Sequence, residues 1–149
     1  TKGIQAMARV YAGWGPSQAF YREKVYLQMG FSSVEDYIIA GWEGRFRETD
    51  ANDFLVMINT WQNGDISNNP LYDGDFEAAL GAIKAKAFVM PSQTDQYFPP
   101  EDNEIEVGHM PNAELRVIPS IWGHMAGGPG RNPVDTQFID DALKELLAS

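Results

Sequence analysis

KAFVMPSQTDQYFPP at residues 86 to 100 and ELRVIPSIWGHMAGG at residues 114 to 128 are built alike. Each opens on a short apolar run, ends it at a proline and continues into a turn-rich loop, the pattern of a buried strand leaving its sheet. EDNEIEVGHM at residues 101 to 110 lies between them, its leading acids suited to the positive end of a helix. The order is β-α-β, so the two strands should be parallel, and a parallel sheet needs helices on its faces. The closing segment offers one. Asn132 caps it, Pro133 takes its first turn, and Val134, Phe138, Ile139, Ala142, Leu143, Leu146 and Leu147 form an apolar stripe. Two strands alone cannot satisfy their edges, so the second half reads as the end of a larger α/β sheet. Its other strands must come from a preceding core segment, another chain or a second copy.

The texture changes near residue 84, and everything before it reads as helix. Residues 17–29 follow Pro16 and stop at Gly30, while Ser32 with Glu35 forms a capping-box pattern entering VEDYIIAGW. A third helix should start at Asp50, carry Phe54, Leu55, Ile58 and Trp61 on one face, and end at Asn63-Gly64. Asp75 should cap a fourth, with Phe76, Ala79, Leu80 and Ile83.

With 149 residues, 44% of them hydrophobic, the chain can bury one core and is too apolar to be disordered. Its formal charge of −10, with no basic cluster, argues against nucleic acid as a partner. No run approaches the length of a membrane span, and TKGIQAMARV lacks the apolar stretch of a signal peptide, so a soluble, cytoplasmic protein is expected, with no membrane partner. The absence of cysteine removes thiolate chemistry from this chain.

Asp95 and His124 each sit just past the carboxyl end of a strand, where open α/β sheets bind ligands. An acid and an imidazole delivered there by consecutive strands can meet. The acid then fixes the ring tautomer and stabilises the imidazolium that forms when the ring takes a nucleophile's proton. Acid before histidine is the chain order of α/β-hydrolases. Trp122, Gly123 and the glycines 127, 128 and 130 suggest a loop shaped to expose the ring. The G-x-S-x-G elbow that should carry the serine is absent. Gly15-Pro16-Ser17-Gln18-Ala19 comes nearest, yet no strand precedes it, and Ser17 reads as a helix cap or lid-surface residue. Ser92 and Ser120 end strands and should make turn hydrogen bonds. His109 and His124 lack metal-ligand spacing, so neither a metal nor a tightly bound cofactor is expected. GGPGR lacks the Lys-Ser/Thr ending of a phosphate loop.

These residues resemble the homoserine O-acetyltransferase family of the α/β-hydrolase superfamily. The likeness is carried by ARVYAGWGPSQAFYR, FRETDANDFLVMINTWQNGDIS, TDQYFPPEDNEIE and IPSIWGHMAGG, above all by D-x-x-F-P at residues 95 to 99 and the pair Gly123-His124. It implies the C-terminal portion of an α/β-hydrolase fold, its last two parallel strands with flanking helices, preceded by a helical lid. Residues 1–75 would be lid and 76–149 core. It also implies that Asp95 and His124 are the acid and base of a triad whose serine lies outside this chain. The activity would be acyl transfer from a small-molecule donor such as acetyl-CoA to an alcohol acceptor. Met125 stands where the family usually has an acid that binds the homoserine amino group. An esterase using water as acceptor remains open, as does a non-catalytic binding or scaffold protein, and a homo-oligomer could supply the missing edge. The chain alone should be inactive.

Overall fold

Residues 2–128 and 131–148 are described by the structure, a computed structural model. Eight helices, numbered α1 to α8, and two strands are present among them. Helix α1 (Lys2–Trp14) buries Ile4, Ala8 and Ala12 at a spacing of four. Its two alanines let its backbone approach a π-helical segment, Tyr37–Glu43, that continues α4 (Val34–Asp36). The wider π turn places residues five apart on one side, and Tyr37 and Trp42 are the two it buries. The cap of α4 is Ser33, one residue later than the capping box suggested. Its hydroxyl accepts from the Asp36 amide, while Asp36 reaches back to the amide and hydroxyl of Ser32.

The single helix expected over 17–29 is two short ones, α2 (Gln18–Arg22) and α3 (Val25–Gln28). Lys24 between them has φ 55°, a left-handed conformation that no helix interior accommodates. The break turns Val25 and Tyr26 inward to join Phe20. Helices α5 (Ala51–Asn63) and α6 (Phe76–Gly81) begin at Asp50 and Asp75 as anticipated, each aspartate accepting amides of the first turn. The α5 stripe is not core, however, since no residue of α5 is fully buried and Leu55 and Trp61 are exposed.

Strands β1 (Ala87–Val89) and β2 (Ala113–Leu115) pair in parallel, Phe88 opposite Glu114, and a further bridge joins Ser92 to Ile118. Helix α7 (Pro100–His109) is the crossover. Neither strand holds a fully buried residue, as expected of a sheet only two strands wide. Arg116 covers part of it, its guanidinium 3.4 Å from the Phe88 ring centre and ion-paired with Glu114 and Glu145. Helix α8 (Pro133–Leu147) is capped by Asn132, but its stripe is largely uncovered. Only Asp135 and Ala142 are buried, whereas Val134, Leu143 and Leu147 are exposed.

The core lies in the helical half and reaches the histidine loop. Ala8, Ala12, Phe20, Val25, Tyr26, Tyr37, Trp42 and Met125 form one buried cluster, with Ile121 and Trp122 packed on it. The contact is made backbone to backbone at Gly123, whose φ is 62°. A Cβ there would stand 2.7 Å from both the Gly15 carbonyl oxygen and the Ser17 amide. Gly123→Ala is therefore expected to combine left-handed strain with a backbone clash and to cost about 3 kcal/mol. Thermal unfolding of the full-length protein measures this, and an unchanged midpoint would mean that the two segments separate freely.

Candidate active site

The register of β1 and β2 brings the loops that follow them to the same edge of the sheet. After Pro91 the chain crosses beside β2, Gln93 donating to the Ile118 carbonyl, and turns at Asp95. One carboxylate oxygen of Asp95 makes that turn, accepting the amides of Tyr97 (2.8 Å) and Phe98 (3.2 Å). This is an Asx turn. The other oxygen is left for His124, whose Nδ1 lies 3.0 Å away. The carboxyl side chain is 8% exposed and the imidazole 43%. The acid is thus enclosed while the ring's far nitrogen has access to a reactant.

His124 sits in a 3-10 turn, Gly123–Met125, whose two end residues are buried. Its amide donates to the Gly15 carbonyl at 2.8 Å. Tyr97 and Phe98 pack on the imidazole with ring centres 4.8 and 5.5 Å away, so the turn that orients the Asp95 carboxylate also supplies walls for the His124 ring. Burial, together with Tyr11 and the Asp95 charge, pushes the Tyr97 hydroxyl up to about 12, so it stays neutral at physiological pH.

His124 opens on two cavities. One, about 300 Å³, is lined by Tyr11, Phe54, Met57, Ile58, Trp61, Tyr97 and Phe98 and is almost wholly apolar. The other, about 570 Å³, runs past Gly15, Phe46 and Gly127 to Arg45 and Arg131. Among the loop glycines, Gly127 has φ 74° and Gly128 follows it, while Gly130 lies outside the described residues.

The remaining sequence candidates have other roles. Ser17 is buried. It caps α2 by accepting the Phe20 amide, and its proton goes to the Ile121 carbonyl, so it lies in the interior and not on a lid surface. Ser92 accepts the Thr94 amide and Ser120 the Trp122 amide, both turn bonds. His109 stands near Glu77 at 3.8 Å, so the two histidines have separate partners. No group of three metal-ligating side chains occurs among the described residues. No helix of the described residues is long and apolar enough to cross a membrane. Helical spacing puts Phe54 and Trp61 on one face without saying what that face lines, and the place of Tyr11, Phe54 and Trp61 beside His124 depends on packing between segments far apart in sequence. The exposure of the α5 stripe has no signature in its periodicity.

No protein-family model matches the chain. Among solved structures it superposes on the acetyl esterase MekB with a TM-score of 0.93 at 35% identity, over 99% of this chain and 42% of that one. The chain has the C-terminal portion of the α/β-hydrolase fold. Among curated proteins it is 37% identical to the ethyl acetate hydrolase of Pseudomonas veronii and 35% identical to a probable esterase of Corynebacterium glutamicum, in each case over 99% of its length. It spans 41% of the length of both relatives. The homoserine O-acetyltransferase of Chloroherpeton thalassium is more distant, 28% identical over 77% of this chain and 27% of its own. The likeness to acetyl esterases is therefore stronger and covers more of the chain than the one read from its motifs.

Ser17→Ala removes a cap and a buried hydroxyl without touching the Asp95–His124 pair. It is expected to cost about 1 kcal/mol of stability. Whatever activity the Asp95–His124 pair supports should be unchanged, and its disappearance in a folded Ser17→Ala protein would make Ser17 the nucleophile.

Proposed function

We propose that the protein hydrolyses short, uncharged carboxylic esters. Asp95 and His124 act as the acid and base of a Ser-His-Asp triad whose serine lies outside this chain, and residues 1–75 cover the site as a lid. The observation that carries this reading is the 3.0 Å contact between an enclosed carboxylate and a half-open imidazole beside an apolar cavity. The similarity to an ethyl acetate hydrolase and an acetyl esterase supports it independently.

The chemistry follows from the two ring nitrogens. With Nδ1–H donating to Asp95, Nε2 holds a lone pair and takes the proton of the serine hydroxyl as its oxygen attacks the ester carbonyl carbon. The imidazolium, stabilised by the Asp95 carboxylate, returns that proton to the alkoxide as the carbon–oxygen bond breaks, and the alcohol leaves. Water then repeats the sequence on the acyl-enzyme: Nε2 takes its proton, the hydroxyl oxygen bonds to the carbonyl carbon, and the serine departs reprotonated with release of the carboxylic acid.

Water is the acceptor favoured by the local chemistry. Met125 follows the histidine, and its sulfur is turned into the core, where it accepts from the Tyr37 hydroxyl at 3.5 Å and the Arg131 guanidinium at 3.3 Å. A thioether offers no charge to an amino acid's ammonium. The smaller cavity beside His124 is suited to an alkyl group, whose burial is favourable by about 0.8 kcal/mol per methylene. Acetyl transfer from acetyl-CoA to homoserine, implied by the motif resemblance, has no such support at this position.

In the full-length protein assayed on p-nitrophenyl acetate, His124→Ala should lower kcat by about 10⁶ and Asp95→Asn by roughly 10⁴. A His124→Ala enzyme within tenfold of wild type would end the triad reading. Given p-nitrophenyl acetate and homoserine together, the enzyme should release acetate without accumulating O-acetylhomoserine, as followed by mass spectrometry. Accumulation of the acetylated amino acid as the main product would restore the transferase reading.

A further inference from the structure

We propose that Thr94 is a positioning residue for the Asp95–His124 pair, anchored through Ser120 to the buried carboxylate of Asp135. The inference rests on the esterase reading above and assigns work to three side chains that reading does not use.

Thr94 precedes Asp95, and Gly123 precedes His124. The Thr94 hydroxyl joins the two loops at these neighbours. Thr94 Oγ1 donates to the Ser120 carbonyl at 2.9 Å and accepts the Gly123 amide at 3.1 Å. A hydroxyl has one proton, so donation to the carbonyl leaves its oxygen free for the amide. Thr94 therefore fixes the separation of the two segments from which the carboxylate and the imidazole project. Its branched side chain suits this task, because few χ1 rotamers are open to it.

Ser120 continues the chain of bonds inward. Its hydroxyl accepts the Trp122 amide at 3.1 Å and donates to Asp135 Oδ2 at 2.7 Å. Ser120 is 4% exposed and Asp135 2%. Asp135 lies in the first turn of α8, where the helix end favours negative charge, and it has no ion pair among the described residues. With the single Ser120 proton donated to Asp135, the Ser120 oxygen is left to accept the Trp122 amide. Both bond chains thus run from amides of the histidine loop to fixed acceptors. The end of α8 is tied to the loop of His124, and that loop to the loop of Asp95.

The experiment compares steady-state kinetics on p-nitrophenyl acetate for full-length wild type, Thr94→Val, Thr94→Ser and Ser120→Ala, with His124→Ala as control. All are assayed well below the unfolding midpoint found by circular dichroism. Thr94→Val keeps the shape and removes the hydroxyl. It should lower kcat by about 10²-fold, the size expected when reacting groups shift by an ångström, with KM within about twofold of wild type. Thr94→Ser restores the hydroxyl and should return kcat to within about threefold of wild type by the same reasoning. If Thr94→Val does not fold, Ser120→Ala carries the test on the second bond chain: it keeps the carbonyl that Thr94 uses and removes the hydroxyl that ties the Trp122 amide to Asp135, and a kcat loss of about tenfold at constant KM is expected. Wild-type kcat in a folded Thr94→Val enzyme, a loss confined to KM, or failure of Thr94→Ser to recover turnover would each overturn the proposal. Substantial activity in the His124→Ala control would instead overturn the esterase reading beneath it.

Discussion

The close approach of Gly123 to the backbone of residues 15–17 is the constraint on which the rest of the site depends. A side chain at 123 would collide with the Gly15 carbonyl and the Ser17 amide, so the two segments touch only because that position has none. The contact sits at a positive φ, at the start of a 3-10 turn that sends alternate residues opposite ways. Gly123 and Met125 go inward, Met125 joining the aromatic core, while His124 between them faces out with its amide held by Gly15. An exposed imidazole on a tight turn results from burying its neighbours on both sides. The same packing makes the helical half part of the scaffold of the histidine, with Trp122 edge-on to Phe20 at 5.4 Å between ring centres.

Asp95 shows how one carboxylate serves structure and chemistry at once. Oδ1 builds its own turn and Oδ2 meets the imidazole, so the turn cannot relax without moving the acid. The turn amides and the imidazole together compensate for the burial of the charge, which would otherwise be costly. Tyr97 and Phe98, whose amides close that turn, contribute the rings that flank His124. Acid, turn and aromatic wall therefore form one local unit within the D-x-x-F-P stretch. This compactness explains why a pattern of five residues carries so much of the resemblance.

The apolar surface that remains uncovered is as informative as the core. Leu55, Val56 and Met57 on α5, and Val134, Leu143 and Leu147 on α8, are exposed, and the sheet has two strands among the described residues. Such surface is more than a small soluble domain ordinarily leaves to water. The chain with this surface spans 41% of the length of the esterase relatives it matches. The cavity beside His124 is formed on one side by α5, so its helical wall belongs to the same partly covered element.

The sequence by itself determined the elements whose causes are local. Asp50, Asp75 and Asn132 cap helices because their side chains reach amides two or three residues on. The proline-ended apolar runs make strands, and the crossover between them makes those strands parallel. Parallel pairing in turn puts Asp95 and His124 at one edge, which is why their meeting was legible from order and spacing alone. Tertiary structure decided what depends on contacts remote in sequence. The apolar stripes of α5 and α8 look like core faces but are only partly covered, because periodicity marks an apolar face without saying what covers it. Helix 17–29 breaks at Lys24, where packing of Val25 and Tyr26 against Phe20 outweighs helical propensity. Ser17 is withdrawn from chemistry by a bond to Ile121, 104 residues away, and Thr94 clamps Gly123 across 29. A serine or threonine hydroxyl is chemically the same wherever it stands, and only the acceptor that folding brings to it decides whether it reacts, caps or holds two loops together.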